Sequence, residues 1–229
     1  MTPEPEIRIS SRCRSGDTVE RTAELLKARI LDGDLAPGQR LISRDLMDEL
    51  GVSRGSLREA FHRLAADRLV ELIPNRGAIV RRLTAAEVAH LFQIREALEG
   101  YAARAAAESI DTNGARASFT ALVEEGRHYR GHPDMPAFVT YNRRFHQAIV
   151  SMSGNTELAE LIDRYQLAVF MHLLRRSVGA VRLTQESVDQ HDVIARAILS
   201  GDGEAAYQAM RAHLWHTAEG IIERLSASG

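Results

Sequence analysis

Apolar positions recur at a spacing near 3.6 from the start of the second decade of residues. Thr18 precedes Val19, Thr22, Leu25, Leu26, Ile30 and Leu31, and Gly33 follows, which predicts an amphipathic helix capped at both ends. Pro37-Gly38 marks a turn. Ser43 opens a second, short helix through Leu46, Met47 and Leu50, stopped by Gly51, and Ser53 caps a third that carries Leu57, Phe61, Leu64 and Leu69. Two helices therefore meet across the turn Leu50-Gly51-Val52-Ser53. The period then changes. Residues 69–73 and 78–80 are short and rich in β-branched residues, with Pro74-Asn75-Arg76-Gly77 between them, which predicts a small β-hairpin. Helix, helix-turn-helix, hairpin is the order of a winged helix.

From Thr84 onward the pattern stays helical. Thr84 with Glu87 three residues later makes a capping box, and helices are predicted near 84–108, 115–130, 136–152, 156–178, 184–200 and 202–226. Breaks fall at residues 111–114, 131–133, 153–155, 179 and 201–203, where Gly, Pro and Asn cluster. No stretch after Val80 reads as a strand. The fold class is thus mainly α: an N-terminal winged helix-turn-helix with a small β-hairpin wing, followed by an all-α helical bundle. The predicted divisions are a flexible tail over 1–17, the winged helix over 18–82 and the bundle over 83–229.

Composition excludes more than it assigns. The 229 residues hold no apolar run near the roughly 20 that span a bilayer, so no membrane partner is expected. The polar first 20 residues lack the apolar core of a secretory signal, which predicts a cytoplasmic protein. The single cysteine, Cys13, can form no internal disulfide and argues against a cysteine-based metal site. Net charge is −2, and the first 83 residues carry 15 basic against 13 acidic side chains; that excess is too mild to name a nucleic acid by itself.

The predicted third helix carries more specific chemistry. A helix-turn-helix sets the first turn of its second helix in the major groove. Here that turn reads Ser53-Arg54-Gly55-Ser56-Leu57-Arg58. Arg54 and Arg58, four apart, share a face opposite Leu57, Phe61 and Leu64, and an arginine fork can engage guanine O6 and N7 or clamp a phosphate. Ser53 and Ser56 offer short donors to phosphate oxygens. Arg44 at the start of the preceding helix and Arg76 at the hairpin tip extend the same set, the latter as a wing residue for the minor groove. The competing assignment pairs these arginines with Asp45, Glu49 and Glu59 on a solvated face.

Residues 31–41 (Leu-Asp-Gly-Asp-Leu-Ala-Pro-Gly-Gln-Arg-Leu), 50–60 (Leu-Gly-Val-Ser-Arg-Gly-Ser-Leu-Arg-Glu-Ala) and 74–80 (Pro-Asn-Arg-Gly-Ala-Ile-Val) resemble the winged-helix signature of GntR-type bacterial transcription regulators. The resemblance covers about residues 18–82. It implies a homodimer bound to a pseudo-palindromic operator in double-stranded DNA, with Arg44, Arg54 and Arg58 at the contact positions. Arg68 departs from the pattern, since the family usually carries glycine there, and it requires a left-handed backbone of an arginine.

Nine histidines are present, three of them on apolar stripes. His146 and Asn142, four apart, edge the stripe Phe138, Tyr141, Phe145 and Ile149. His191 lies with Val188, Ile194, Ala195 and Ile198, and His213 with Ala206, Met210, Thr217 and Ile221. Three imidazoles on one interior would suit Zn, Ni, Cu or Fe; each alone is equally a hydrogen-bonded core residue, and spacing does not bring distant ones together. Residues 142–146, 153–155, 190–194 and 210–214 are similar to the FCD effector domain of the FadR-like branch of the same family, over about residues 85–225. That resemblance implies a divalent metal ion (Zn, Ni or similar) held by an Asp-x3-His pair and two later histidines, with a small carboxylate effector bound beside it. His146, His191 and His213 match; position 142 is Asn142 instead of aspartate, a weaker neutral ligand that leaves one more positive charge on the site. Arg95 falls on the stripe Val88, Leu91, Leu98, and a buried arginine needs an anion. The effector carboxylate and Glu99, one turn away, are the two choices.

The sequence thus reads as a ligand-responsive DNA-binding regulator of a metabolic operon and not an enzyme. The rivals are a regulator that senses metal alone and a helical metalloenzyme. For the latter, Glu87-x-x-His90 and Glu125-x-x-His128 imitate a ferritin-like pair, which also needs a carboxylate on each of two further helices. No nucleophile elbow, Walker loop or His-Glu-x-x-His is present.

Overall fold

The computed structural model describes residues 15–74, 76–112, 114–131, 134–165 and 180–227. These form two compact units that divide between Arg82 and Leu83.

The first unit holds α1 (Ser15–Asp32), β1 (Arg40–Leu41), α2 (Ser43–Leu50), α3 (Arg54–Ala66), β2 (Val70–Ile73) and β3 (Gly77–Val80). Helix α1 begins at Ser15. Thr18, expected as its cap, is therefore an interior residue whose carbonyl accepts from Thr22 Oγ1, and residues 15–17, expected in the tail, are helical; residues 1–14 lie outside the described set. Helices α2 and α3 follow their predicted starts. Gly51 ends α2 in the left-handed conformation, φ +64°, and Ser53 caps α3 by accepting from Ser56 N–H at 3.1 Å. Leu26 and Ile30 of α1, Leu46 and Leu50 of α2, and Leu57, Phe61 and Leu64 of α3 fill the core with Leu69, Val70, Ala78 and Val80 beneath them. After α3 the chain turns through Arg68 at φ +57°, the left-handed arginine that the departure from the glycine pattern required.

The sheet has one strand more than the hairpin predicted. β1, only two residues, pairs antiparallel with β3 (Arg40 opposite Ile79, Leu41 opposite Ala78), and β2 pairs with the other edge of β3. A two-residue strand has no periodicity of its own and exists only through that pairing. Gly77 permits the approach: its φ is +95°, and a Cβ there would sit 2.2 Å from the Leu41 carbonyl oxygen.

The second unit comprises α4 (Ala85–Glu108), α5 (Ala115–Arg127), α6 (Met135–Met152), α7 (Thr156–Tyr165), α8 (Ala180–Leu199) and α9 (Gly203–Ala227). The Thr84–Glu87 capping box is formed in both directions. α5 ends three residues early, because residues 128–130 close into tighter turns; α8 begins four residues early; and the continuation expected for α7 to 178, with the break at Gly179, lies outside the described residues. Helices α4 and α9 run antiparallel, with Glu96 bonded to Trp215, Gly100 against Tyr207 and Arg104 paired with Glu204. Buried Ala102, Ala103, Ala106 and Ala107 let the two come close. α6 packs on α4 through Glu99 and His146 at one end and a 2.8 Å bond from Ser109 Oγ to the Met152 carbonyl at the other. α5 reaches α8 through Arg127 and Asp192 at 3.1 Å. Among the described residues no helix is long and apolar enough to cross a membrane, and no strand follows Val80.

Gly77→Ala is expected to destabilise the winged unit by more than about 2 kcal/mol, through steric conflict and left-handed strain. Gly55→Ala, where the nearest atom to a new Cβ is 3.8 Å away, is expected to stabilise it by about 0.5–1 kcal/mol through helix propensity. Thermal unfolding of the two variants checks both signs.

Candidate functional site

The first site is the exposed side of α3. Arg54 and Arg58 point away from the buried Leu57 and Phe61 and are exposed, as are Arg44 on α2 and Arg76 before β3. Among the described residues these four arginines form no ion pair, whereas neighbouring cations are spent: Arg29 on Glu49 at 2.7 Å, Lys27 on Asp67 at 3.5 Å, Arg63 on Glu20 and Arg81 on Glu71. Glu49, offered as a partner for the α3 arginines, is thus taken by α1. Ser43 Oγ lies 3.2 Å from where a Gly77 Cβ would be, so the start of α2 abuts the start of β3 and Arg44 and Arg76 flank one junction. Ser53 is exposed. Ser56, expected among the groups facing DNA, is buried, with its hydroxyl 2.9 Å from Ser53 Oγ; it belongs to the cap.

The second site lies where four helices of the bundle converge. His146 on α6, His191 on α8 and His213 on α9 are all buried, and a ring nitrogen from each lies within 4.8 Å of the others. The two Nε2 atoms of His146 and His213 are 3.3 Å apart. His146 Nδ1 sits 2.7 Å from Glu99 Oε2 on α4, and His213 Nδ1 sits 2.8 Å from Gln190 Oε1 on α8. Both acceptors take a ring N–H, so each Nδ1 carries a proton and each Nε2 faces the centre, where a neutral ring offers a lone pair. Phe145 stacks on the His191 ring at 4.0 Å and 14°, fixing its plane, and neither His191 nitrogen has a hydrogen-bond partner. Asn142 is half-buried one turn before His146, and its side chain makes no hydrogen bond among the described residues.

Burial keeps His191 and His213 neutral. Burial drives His191 well below the ordinary imidazole range, with His213 and His146 adding to it. Burial likewise lowers His213, helped by His146 and Arg95 and opposed by Glu99. Burial alone would raise the Glu99 carboxyl, but Arg95 and then His146 outweigh it and hold it well below the usual carboxylate range. Arg95 donates from Nε to Glu99 Oε1 at 2.6 Å and lies 5.0 Å above the Phe92 ring. Of the two anions offered to Arg95, the geometry holds Glu99.

Spacing did not reveal Glu99 or Gln190 as part of this centre. Glu99 stood out only as an ion-pair partner one turn from Arg95, and Gln190 only as the neighbour of His191. The Glu-x-x-His pairs do not converge here: His90 and His128 are exposed, and His128 Nδ1 turns to the Glu124 carbonyl. Three buried imidazoles, two Nε2 atoms that face each other and a His191 ring with no hydrogen-bond partner among the described residues fit a divalent cation of the Zn or Ni type.

Comparison with known proteins agrees with this architecture. Residues 18–80 match the model of the gntR family of bacterial regulatory proteins and residues 90–216 match the FCD domain. An uncharacterized HTH-type transcriptional regulator from an unstable DNA locus of Streptomyces ambofaciens is 32% identical over 88% of this chain and 84% of its own. The HTH-type transcriptional repressor RspR of Escherichia coli is 27% identical over 86% of each chain. Among solved structures, E. coli McbR/YncC superposes with a TM-score of 0.76 at 23% identity, over 90% of this chain and 98% of that one. A GntR transcriptional regulator from Rhodococcus sp. RHA1 gives 0.74 at 26%, with the same shares. The chain belongs to the GntR family of bacterial regulatory proteins, in its FCD branch, and is a DNA-binding transcription regulator.

The lowered histidines have a consequence for stability. The unfolded chain takes up protons at His191 and His213 near pH 6.5, about where a free imidazole titrates, while the folded chain refuses them. Below that pH the unfolded state binds more protons, so stability falls as pH falls; above it the two states match and this contribution is constant. Chelator-treated protein is expected to melt at a lower temperature at about pH 5.5 than at about pH 7.5, with the difference reduced in His191→Leu. A melting temperature that rises on acidification contradicts this.

Proposed function

We propose that this regulator works as a homodimer on a pseudo-palindromic operator, and that its helical unit senses a small carboxylate metabolite beside a divalent metal ion. The observation that carries the sensing half is the centre of the bundle: three buried imidazoles whose ring nitrogens converge, with no hydrogen-bond partner for His191 among the described residues. His146, His191 and His213 would hold the ion, and the half-buried amide of Asn142 is the fourth candidate ligand. The ion supplies positive charge that attracts an anionic effector. With asparagine at position 142 the ligands cancel none of that charge, so an anion gains more than it would beside an aspartate. Arg95, at the edge of the same centre, is the candidate second grip on the carboxylate and would share its guanidinium between effector and Glu99.

For the DNA half, Arg54 and Arg58 are proposed to reach base edges, Arg44, Ser53 and the start of α3 to hold phosphate, and Arg76 to enter the minor groove. Two-fold symmetry in the protein asks for two half-sites in the operator. An effector that prefers one arrangement of the dimer changes operator affinity by shifting the population of that arrangement. A metal-only sensor differs solely in lacking the organic ligand.

Elemental analysis of protein purified without a histidine tag is expected to find about one Zn or Ni per chain, lost in His191→Ala and His213→Ala; equal loading of wild type and both variants overturns the metal reading. On an operator selected from random sequence, Arg54→Ala and Arg58→Ala are each expected to cost about 1–3 kcal/mol. Arg44→Ala is expected to weaken binding to all sequences alike and lower the salt slope by about one. A carboxylate that raises the melting temperature of wild type is expected to lose that effect in Arg95→Ala.

A further inference from the structure

Resting on the metal reading above, we infer that Glu99 is the positioning residue of the centre: it fixes which nitrogen of His146 faces the ion and sets how strongly that nitrogen donates. The carboxylate is 1% exposed, and each of its oxygens is committed, Oε1 to Arg95 at 2.6 Å and Oε2 to His146 Nδ1 at 2.7 Å. An acceptor so placed keeps the ring proton on Nδ1 and leaves Nε2 bare, 3.3 Å from the equally bare Nε2 of His213. Two bare nitrogens at that distance repel unless a cation or one shared proton lies between them, and an ion placed there would meet both lone pairs.

The two acceptors differ in charge. Gln190 orients His213 with a neutral amide, whereas Glu99 orients His146 with an anion, which makes that imidazole the stronger donor. The negative charge that Asn142 lacks is thus present one atom shell further out, delivered through a ring. Arg95 opposes it: by bonding the other oxygen it withdraws part of that charge from His146. Glu99 therefore lies between the proposed effector grip and the proposed ion, and anything that draws Arg95 away strengthens the hold of His146 on the metal.

The test measures Zn(II) and Co(II) affinity of the full chain by competition with a chromophoric chelator, in wild type, Glu99→Gln, Arg95→Met and the double variant Arg95→Met/Glu99→Gln. Glu99→Gln keeps an oxygen acceptor and removes the charge; it is expected to bind both ions about 10–100-fold more weakly, with visible Co(II) bands displaced from those of wild type. Arg95→Met is expected to bind more tightly than wild type. The double variant removes both charges of the Arg95–Glu99 pair together, so it reports on the role of Glu99 even where Glu99→Gln fails to fold, and it is expected to bind several-fold or more below wild type. Wild-type affinity and Co(II) bands in folded Glu99→Gln, or wild-type affinity in the double variant, overturn the inference while leaving the metal site standing. A wild type that takes up neither ion overturns the metal reading and this inference together.

Discussion

Two imidazole nitrogens that face each other across 3.3 Å, each with its proton held on the far side of the ring, are the constraint around which the helical unit is organised. Each acceptor that holds a proton away comes from a different helix, Glu99 from α4 and Gln190 from α8. The burial of Glu99 in turn obliges Arg95 to stand beside it, since an ionised carboxylate without a counter-charge is costly in a protein interior. The alanines of α4 that allow α9 to come close serve the same end, because His213 rides on α9. Packing and electrostatics are one problem here: the helices cannot separate without exposing the charges, and the charges cannot be paired unless the helices are close.

The winged unit obeys a different economy of charge. Two groups of its cations contrast. Lys27, Arg29, Arg63 and Arg81 are paired with nearby acids, while Arg44, Arg54, Arg58 and Arg76 are exposed and form no ion pair among the described residues. A domain with only a slight excess of basic over acidic side chains thus presents a cluster of unpaired arginines. This explains why net charge said so little about a nucleic-acid partner.

What was legible in the sequence was local. Ser53, the Thr84–Glu87 box and Gly51 act on atoms within a turn or so of themselves, so residue type and spacing determine the outcome. Arg68 was legible only through the resemblance to the GntR pattern, as an arginine where that pattern carries glycine. Two helix beginnings were not: α1 and α8 start upstream of the predicted 18 and 184, and in α1 Ser15, Gly16 and Asp17 are helical despite weak helix propensity. β1 was missed because its structure belongs to β3. At the histidine centre, the three imidazoles could be assigned to apolar stripes, but their convergence, the stack of Phe145 on His191 and the contact across 47 positions from Glu99 to His146 are tertiary facts. Ser56 errs in the opposite sense. Its type suggests a donor for phosphate, and its place in the first turn of α3 folds it inward against Ser53.

The chain has a single tryptophan, Trp215, two positions beyond His213 on α9, with its indole nitrogen 2.6 Å from Glu96 Oε2 on α4. Its emission therefore has one origin, a half-buried ring clamped across the same helix pair that carries His213 and Glu99. A displacement of α9 against α4 alters the polarity around that ring, and with it the colour of its light. The fold has in this way installed an intrinsic optical gauge at the contact of α4 with α9.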